Sequence, residues 1–303
     1  MKKEKFEWVF CQKAVFLQVQ NSKTVKQMSQ LRKIRYRLFA WRRFPKLVPA
    51  SDPIDVVIPL IAKDLKILPL CLEGVRRQVA HPVKDIYIVA PPQEEILRFC
   101  EEWGLRFVEE SSVLGFGPQA LGLQVQLEDG RTLGRSGWLF QQFIKLSGRV
   151  GTCRHYLCID ADHVLIRPHV FLTEDRKTVF YMSYEEHRPY YENIHRLLPD
   201  LALHKLSYVD HKMLFDKEQL EVLHQALEQS AGQPWTKAIL DSYDRHCHAG
   251  FSEFELYGNF VKEKVHRPWL QKRLSYKHLA DYDTLRRKWS SSRWSLTFPD
   301  YIN

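Results

Sequence analysis

The segment YLCIDADHVLIRP, residues 156–168, carries two aspartates, Asp160 and Asp162, one residue apart at the end of an apolar run. If strand alternation persists, both carboxylates lie on one face of the chain. Two acids so close are costly to keep ionised unless a cation sits between them. Mg2+ and Mn2+ favour carboxylate oxygens together with substrate phosphates, so the pair points to a metal that holds a phosphate ester. A second acidic group lies in HCHAGFSEFELYGNFVKEK. There Ser252 is a helix N-cap residue and Glu255, three residues on, completes a capping box. Glu253 has no such local job, beyond being a first-turn acid that a helix dipole favours.

The elements that position these acids follow from periodicity. IDVVIPL (from 54) reads as a buried strand, KDLKILPLCLEGVRRQ as a helix with a proline in its first turns, and KDIYIVAPP as a second strand. QEEILRFCEEWG is a helix stopped by Gly104, and LRFVEES a third strand. Strands alternating with helices of this length predict an α/β fold with a mostly parallel, Rossmann-like sheet flanked by helices, and ligands at its carboxyl edge. VLGFGPQALGLQVQLEDGRTLGRSG is a long loop or small hairpin, and GWLFQQFIKLSGRV a helix leading into the strand that ends at Asp160. Beyond it, TVFYMSYEEHRPYY and KLSYVDHKMLFD read as strands or strand edges, and KEQLEVLHQALEQS as an amphipathic helix.

The blocks GWLFQQFIKL, YLCIDADHVLIRP, YVDHKMLFDKEQL and FSEFELYGNFV, in that order, resemble a bacterial family of glycosyltransferase-like proteins of unknown substrate with the GT-A fold. The likeness runs from about residue 54 to near the C-terminus, which divides the chain into a leader, 1–50, and a GT-A-like domain, 51–303. It implies a transferase that moves a sugar from a nucleotide-diphosphate donor, a UDP- or GDP-sugar, to a hydroxyl of a glycan or lipid-linked acceptor, with Mn2+ or Mg2+ as cofactor. Carried onto matching positions, it makes Asp162 the metal ligand and Asp160 the residue that reaches the ribose, or the metal through water. It brings Gln142 and Lys145, one helical turn apart, to the nucleotide, with Gln141 able to replace Gln142. The base falls against Pro59 to Asp64, a segment that includes Lys63. Inverting enzymes of this fold place a carboxylate at a helix start to take the acceptor's proton, a role that falls to Glu253 first and Glu255 second. His211, beside Asp210, matches a block and is a donor or acceptor contact. The histidine that many such proteins add near the C-terminus has only His266 and His278 as counterparts, which leaves the third metal ligand open. Trp235, Tyr190 and Tyr191 are candidates for stacking on an acceptor sugar. Arg167, just before Pro168, suits a salt bridge that closes its loop.

Two other readings compete. The spacing DADHV also satisfies the D-x-D-x-[TV] pattern of haloacid-dehalogenase-like phosphatases, with Asp160 and Asp162 as nucleophile and general acid. That motif normally opens its fold, whereas about 100 residues of strand and helix precede it here. The other alternative is a protein that binds a sugar nucleotide or glycan without turnover.

Charge is unevenly placed. The net charge is +9, yet residues 1–50 hold 13 Lys+Arg against 2 Glu, leaving 32 basic and 34 acidic side chains over the other 253 residues. Within the leader, Leu31, Ile34, Leu38 and Trp41 recur at helical spacing among Arg32, Lys33, Arg35, Arg37, Arg42 and Arg43. Such a helix, over about residues 29–46, either lies on an anionic membrane surface or packs on the main domain with its cations in water. The absence of a basic surplus elsewhere argues against nucleic acid as a partner. No apolar run approaches the roughly 18–20 residues of a spanning helix. The interrupted apolar pattern of residues 1–20 does not form a signal-peptide core. Six cysteines without a C-x-x-C pair offer neither a disulfide framework nor a zinc site. These features predict a cytoplasmic protein, peripheral at the membrane if the leader binds lipid.

Overall fold

A computed structural model describes residues 46–299, apart from 184, 186, 205, 263–265, 271–272 and 276–278, together with Leu31, Ile34 and Leu38; for 266–270 and 273–275 it describes the backbone alone. The rest of the leader, including most of the expected amphipathic helix and the unassigned pattern at 6–19, lies outside the described residues, as does His278.

The first strand, β1 (Ile54–Pro59), is buried along its whole length. A 3-10 turn, Ala62–Lys66, then leads into α1 (Leu68–Gln78). The expected single helix is divided here because Pro69 is tolerated only in a first turn, where its missing N–H has no partner to lose. Next come β2 (Val83–Ala90), α2 (Glu94–Trp103), β3 (Arg106–Glu109) and α3 (Glu110–Leu114). Gly104 ends α2 at φ 64°, the left-handed position that glycine takes without a Cβ penalty. The glycine-rich stretch forms the hairpin β4 (Gln124–Gln126) and β5 (Thr132–Gly134). Then α4 (Ser136–Leu146) feeds β6 (His155–Ile159).

The chain goes on through β7 (His163–Leu165), β8 (Thr178–Met182), α5 (Arg188–Leu197), β9 (Lys212–Asp216), α6 (Lys217–Ala231), α7 (Trp235–Ser242) and α8 (Glu253–Val261). It closes with β10 (His266–Leu270), β11 (Arg273–Ser275), α9 (Tyr282–Trp289) and β12 (Ser295–Thr297). HRPYY, expected as strand, is the start of α5, with its proline again in the first helical turn.

The main sheet has the order β3-β2-β1-β6-β9 and is parallel except for β9, which runs antiparallel to β6. Successive side chains of β1 point to opposite faces. Val57 enters one core with α4, α6, α7 and α8; Ile54, Val56 and Ile58 enter another with α1 and α2. The result is the α/β architecture with a mostly parallel sheet flanked by helices. Asp55 pins the start of β6 to β1 by accepting from the Thr152 and Cys153 amides at 2.6 and 2.7 Å. Gly151, at φ 78°, has no room for a Cβ beside that carboxylate. A small sheet, β11-β12-β7, covers a third core of Val164, Ile166, Leu285 and Leu296. Among the described residues the cysteines are unbridged and no helix is long and apolar enough to cross a membrane.

Candidate functional site

The strand order turns outward between β1 and β6, the place where an open parallel sheet leaves a crevice at its carboxyl edge. β6 ends at Ile159, and the His163 amide donates to the Asp160 carbonyl at 3.0 Å, closing a tight turn before β7 joins the small sheet. Asp160 and Asp162 therefore meet through a turn, not through the strand alternation that the sequence suggested. Because β9 pairs antiparallel with β6, the residue preceding β9 falls beside Asp160, whose amide donates to the His211 carbonyl at 2.9 Å. One side-chain ligand atom from each of Asp160, Asp162 and His211 then lies within 4.8 Å of the others.

Charges around this turn are arranged in a chain. Lys145, in the last turn of α4, donates to Asp160 Oδ1 at 2.8 Å and to Glu253 Oε1 at 2.9 Å. The His211 Nδ1 proton is donated to Asp160 Oδ2 at 3.0 Å. Burial opposes ionisation of Asp160, but Lys145 and then His211 outweigh it and hold this carboxyl well below the usual range. Burial likewise disfavours the Lys145 ammonium, and the two acids on it reverse that and push its pKa up. Glu253 moves the other way: burial raises its carboxyl despite Lys145. Asp162 is raised to about 6, by burial first and then by the charges of Asp160 and Asp64, against the pull of His211 and Lys145. Its Oδ1 is buried without a hydrogen-bond partner among the described residues.

A second layer steadies His211. His163 stacks on it with ring centroids 5.2 Å apart. The ammonium of Lys212 can only donate, so at 3.3 Å it makes His163 Nε2 the acceptor and puts the ring proton on Nδ1, which faces Thr297 Oγ1 at 2.8 Å. Lys212 is fully buried and also donates to Asp210 at 2.9 Å.

The other sequence candidates separate clearly. Asp64 accepts from the Ile61 amide at 3.1 Å in the 3-10 turn after β1, near enough for its charge to be felt at Asp162; Lys63 in the same turn is exposed. Gln142 is buried and donates to the Trp138 carbonyl of its own helix at 3.2 Å, whereas Gln141 is half-buried. Ser252 does cap α8. The Glu255 carboxylate, however, is fully buried and accepts from Ser207 at 2.5 Å, Tyr191 at 3.0 Å and Asn259 at 3.2 Å, which makes it a scaffold residue. Tyr191 is thereby held in the same scaffold. Tyr190 lies within reach of the Glu253 charge, which adds to burial in pushing its phenol up. Trp235 packs in the core, stacked on His224 with centroids 4.4 Å apart, and is not placed to meet a sugar. Arg167 makes no salt bridge among the described residues; its guanidinium lies over the Trp294 ring at 4.5 Å. His266 belongs to β10. The sequence reading did not foresee the Lys145–Glu253 contact, between residues 108 apart, or His211 as a partner of both aspartates. The sequence signals for His211 were its place beside Asp210 and its match to a block of the resemblance.

The donor set, two carboxylates and an imidazole with one orphaned buried oxygen, fits a hard divalent cation. Around it the fold supplies a cation, Lys145, and a buried acid of raised pKa, Glu253. Such a site can stabilise negative charge and offers a carboxyl held above its usual range for proton exchange.

No curated protein matches this chain. Among solved structures it is similar to mouse xyloside xylosyltransferase 1 in its apo form, with a TM-score of 0.45 and 8% identity, over 83% of this chain and 99% of that one. The model of the Family of unknown function (DUF6492) matches residues 51–292, and the chain belongs to that family.

Proposed function

We propose that this protein is a divalent-metal-dependent glycosyltransferase that moves a sugar from a UDP- or GDP-sugar to a hydroxyl of a glycan or lipid-linked acceptor. The observation that carries this reading is the cluster of Asp160, Asp162 and His211 at the outward turn of the sheet, with a buried Asp162 oxygen that has no hydrogen-bond partner among the described residues. These three residues would hold Mn2+ or Mg2+, which when bound neutralises the charge that develops on a departing diphosphate.

The chain's own residues do the rest. Lys145 keeps Asp160 ionised and oriented. His211, fixed by Asp160 and the His163 ring, offers its second nitrogen to the cation. The segment Pro59 to Asp64, with Lys63, receives the base, and Gln141 the nucleotide, Gln142 being engaged within its helix. Glu253 is the carboxylate proposed to take the acceptor's proton, its raised pKa bringing it nearer to working pH. Tyr190 borders that acid on the acceptor side. Asp160 as a phosphatase nucleophile is disfavoured, because about 100 residues of strand and helix precede a motif that normally opens its fold.

The test is release or transfer of sugar from UDP- and GDP-sugars with Mn2+, Mg2+ or a chelator. Metal-dependent turnover that Asp162→Ala reduces at least a hundredfold is expected, a loss of about 2.7 kcal/mol of transition-state stabilisation. Unchanged turnover in that variant, or release of phosphate from simple monoesters, would overturn the reading.

A further inference from the structure

Residues 262–294 contain ten Lys+Arg against three acids, so the rest of the chain beyond residue 50 is acidic. The described part of this segment is built around two half-buried indoles. Lys288 and Arg293 lie over the Trp289 ring at 5.1 and 5.2 Å, and Arg167 lies over Trp294 at 4.5 Å. Arg287 and Lys288 are exposed on α9. Unlike Arg286, which reaches Glu73, Arg167, Arg287, Lys288 and Arg293 have no carboxylate partner among the described residues. The patch is rigidly joined to the site: β12 pairs with β7, the Ile166 amide donates to the Trp294 carbonyl at 3.0 Å, and the Phe298 amide donates to the Asp162 carbonyl at 3.0 Å. Arg167 follows Asp162 by five positions, at most about 18 Å of extended chain.

We propose that this face docks on an anionic lipid bilayer. Unpaired cations gain from the negative surface potential of such a membrane, about 1 kcal/mol each. Half-buried indoles give the exposed cations an apolar backing, along which the long stems of Arg and Lys lie. The leader has the same character: Leu31, Ile34 and Leu38 are helical and exposed by 53%, 50% and 60%, which favours the lipid reading of its basic amphipathic pattern over packing on the domain. Docking would hold the Asp162 crevice close to the headgroups and so select a lipid-linked acceptor. Only this last step rests on the transferase reading; the membrane contact does not.

The test is co-sedimentation of the full chain with vesicles of phosphatidylcholine alone or with about 30% phosphatidylglycerol, at about 0.1 and 0.5 M salt. Binding to the anionic vesicles only, weakened by salt, is expected. Arg287→Gln/Lys288→Gln should lower the partition coefficient about 30-fold, and the charge-reversing Arg287→Glu/Lys288→Glu by more than that. A parallel Leu31→Glu/Ile34→Glu/Leu38→Glu variant separates the leader's share. The proposal is overturned if neutral vesicles bind equally, or if the leader variant abolishes binding while the α9 variants leave it intact. It is also overturned if soluble glycerol phosphate or duplex DNA saturates the patch as well as vesicles do, or if the α9 variants merely dissociate an oligomer. Since the readout is sedimentation, it does not depend on sugar transfer.

Discussion

Lys145→Met removes the one cation that touches two acids at the heart of the site, and its cost should depend on pH. At an effective dielectric of about 20, unit charges 2.9 Å apart, the Lys145–Glu253 separation, attract by roughly 6 kcal/mol, most of it offset by desolvation. What remains on deleting the cation is a buried acid without its partner, a loss of about 3–5 kcal/mol if that acid stays charged. Glu253 can instead take up a proton. Its carboxyl is already raised by burial, and without Lys145 it rises further. A folded pKa above the unfolded value of about 4.3 means that the native state binds more protons between the two, so stability falls with pH, by about 1.36 kcal/mol per unit, until the folded pKa is passed. Asp160 acts in the same sense, because the stabilisation from its depressed carboxyl, present above about pH 4, is partly owed to Lys145. Urea unfolding with a chelator present should therefore show a clearly smaller destabilisation near pH 3 than at pH 8, where it reaches about 3–5 kcal/mol. Lys145→Met/Glu253→Gln should recover most of the pH 8 loss. A cost that is flat in pH, or a double variant no better than the single one, would refute the assignment of Glu253 as the buried acid that Lys145 compensates.

Other outcomes follow from single contacts. Asp162→Asn should weaken Mn2+ binding, read by calorimetry on the protein alone, by at least tenfold, since it removes the charge from the orphaned ligand. Asp216 caps α6 and pairs with Arg154 at 2.8 Å. Burial disfavours its charge, but His155 at 3.6 Å and the hydrogen-bonded Arg154 prevail and hold the carboxyl low. A depressed carboxyl stabilises above its unfolded pKa of about 4 and loses that effect as pH falls below it. Thermal unfolding of Asp216→Ala should thus show a clear loss at pH 7 that shrinks toward pH 3, where a loss unchanged at both would exclude the ionic part. Gly258 in α8 faces the Tyr208 ring with no space for a Cβ. Gly258→Ala should cost about 1–3 kcal/mol despite better helix propensity, and a neutral or stabilising result in urea would show that the ring can move aside.

The residue pattern alone determined the alternation of strands and helices, the parallel main sheet, the cap at Ser252, the stop at Gly104 and the placing of Asp160 and Asp162 at a strand's end. These are local matters, set by side-chain period, by the missing N–H of proline and by the conformational freedom of glycine, so they can be read a few residues at a time. What only the tertiary structure decided is which distant side chains meet. The antiparallel register of β9 on β6 brings His211 to the aspartates, and the approach of α8 to the end of α4 gives Lys145 a second acid in Glu253. The same packing makes Glu255 a scaffold residue and sends Trp235 into the core. Burial and pairing across 50 to 100 residues carry no local sequence period, since they depend on how whole elements stack. Such contacts decide which acids keep their charge and which are left to hold a cation.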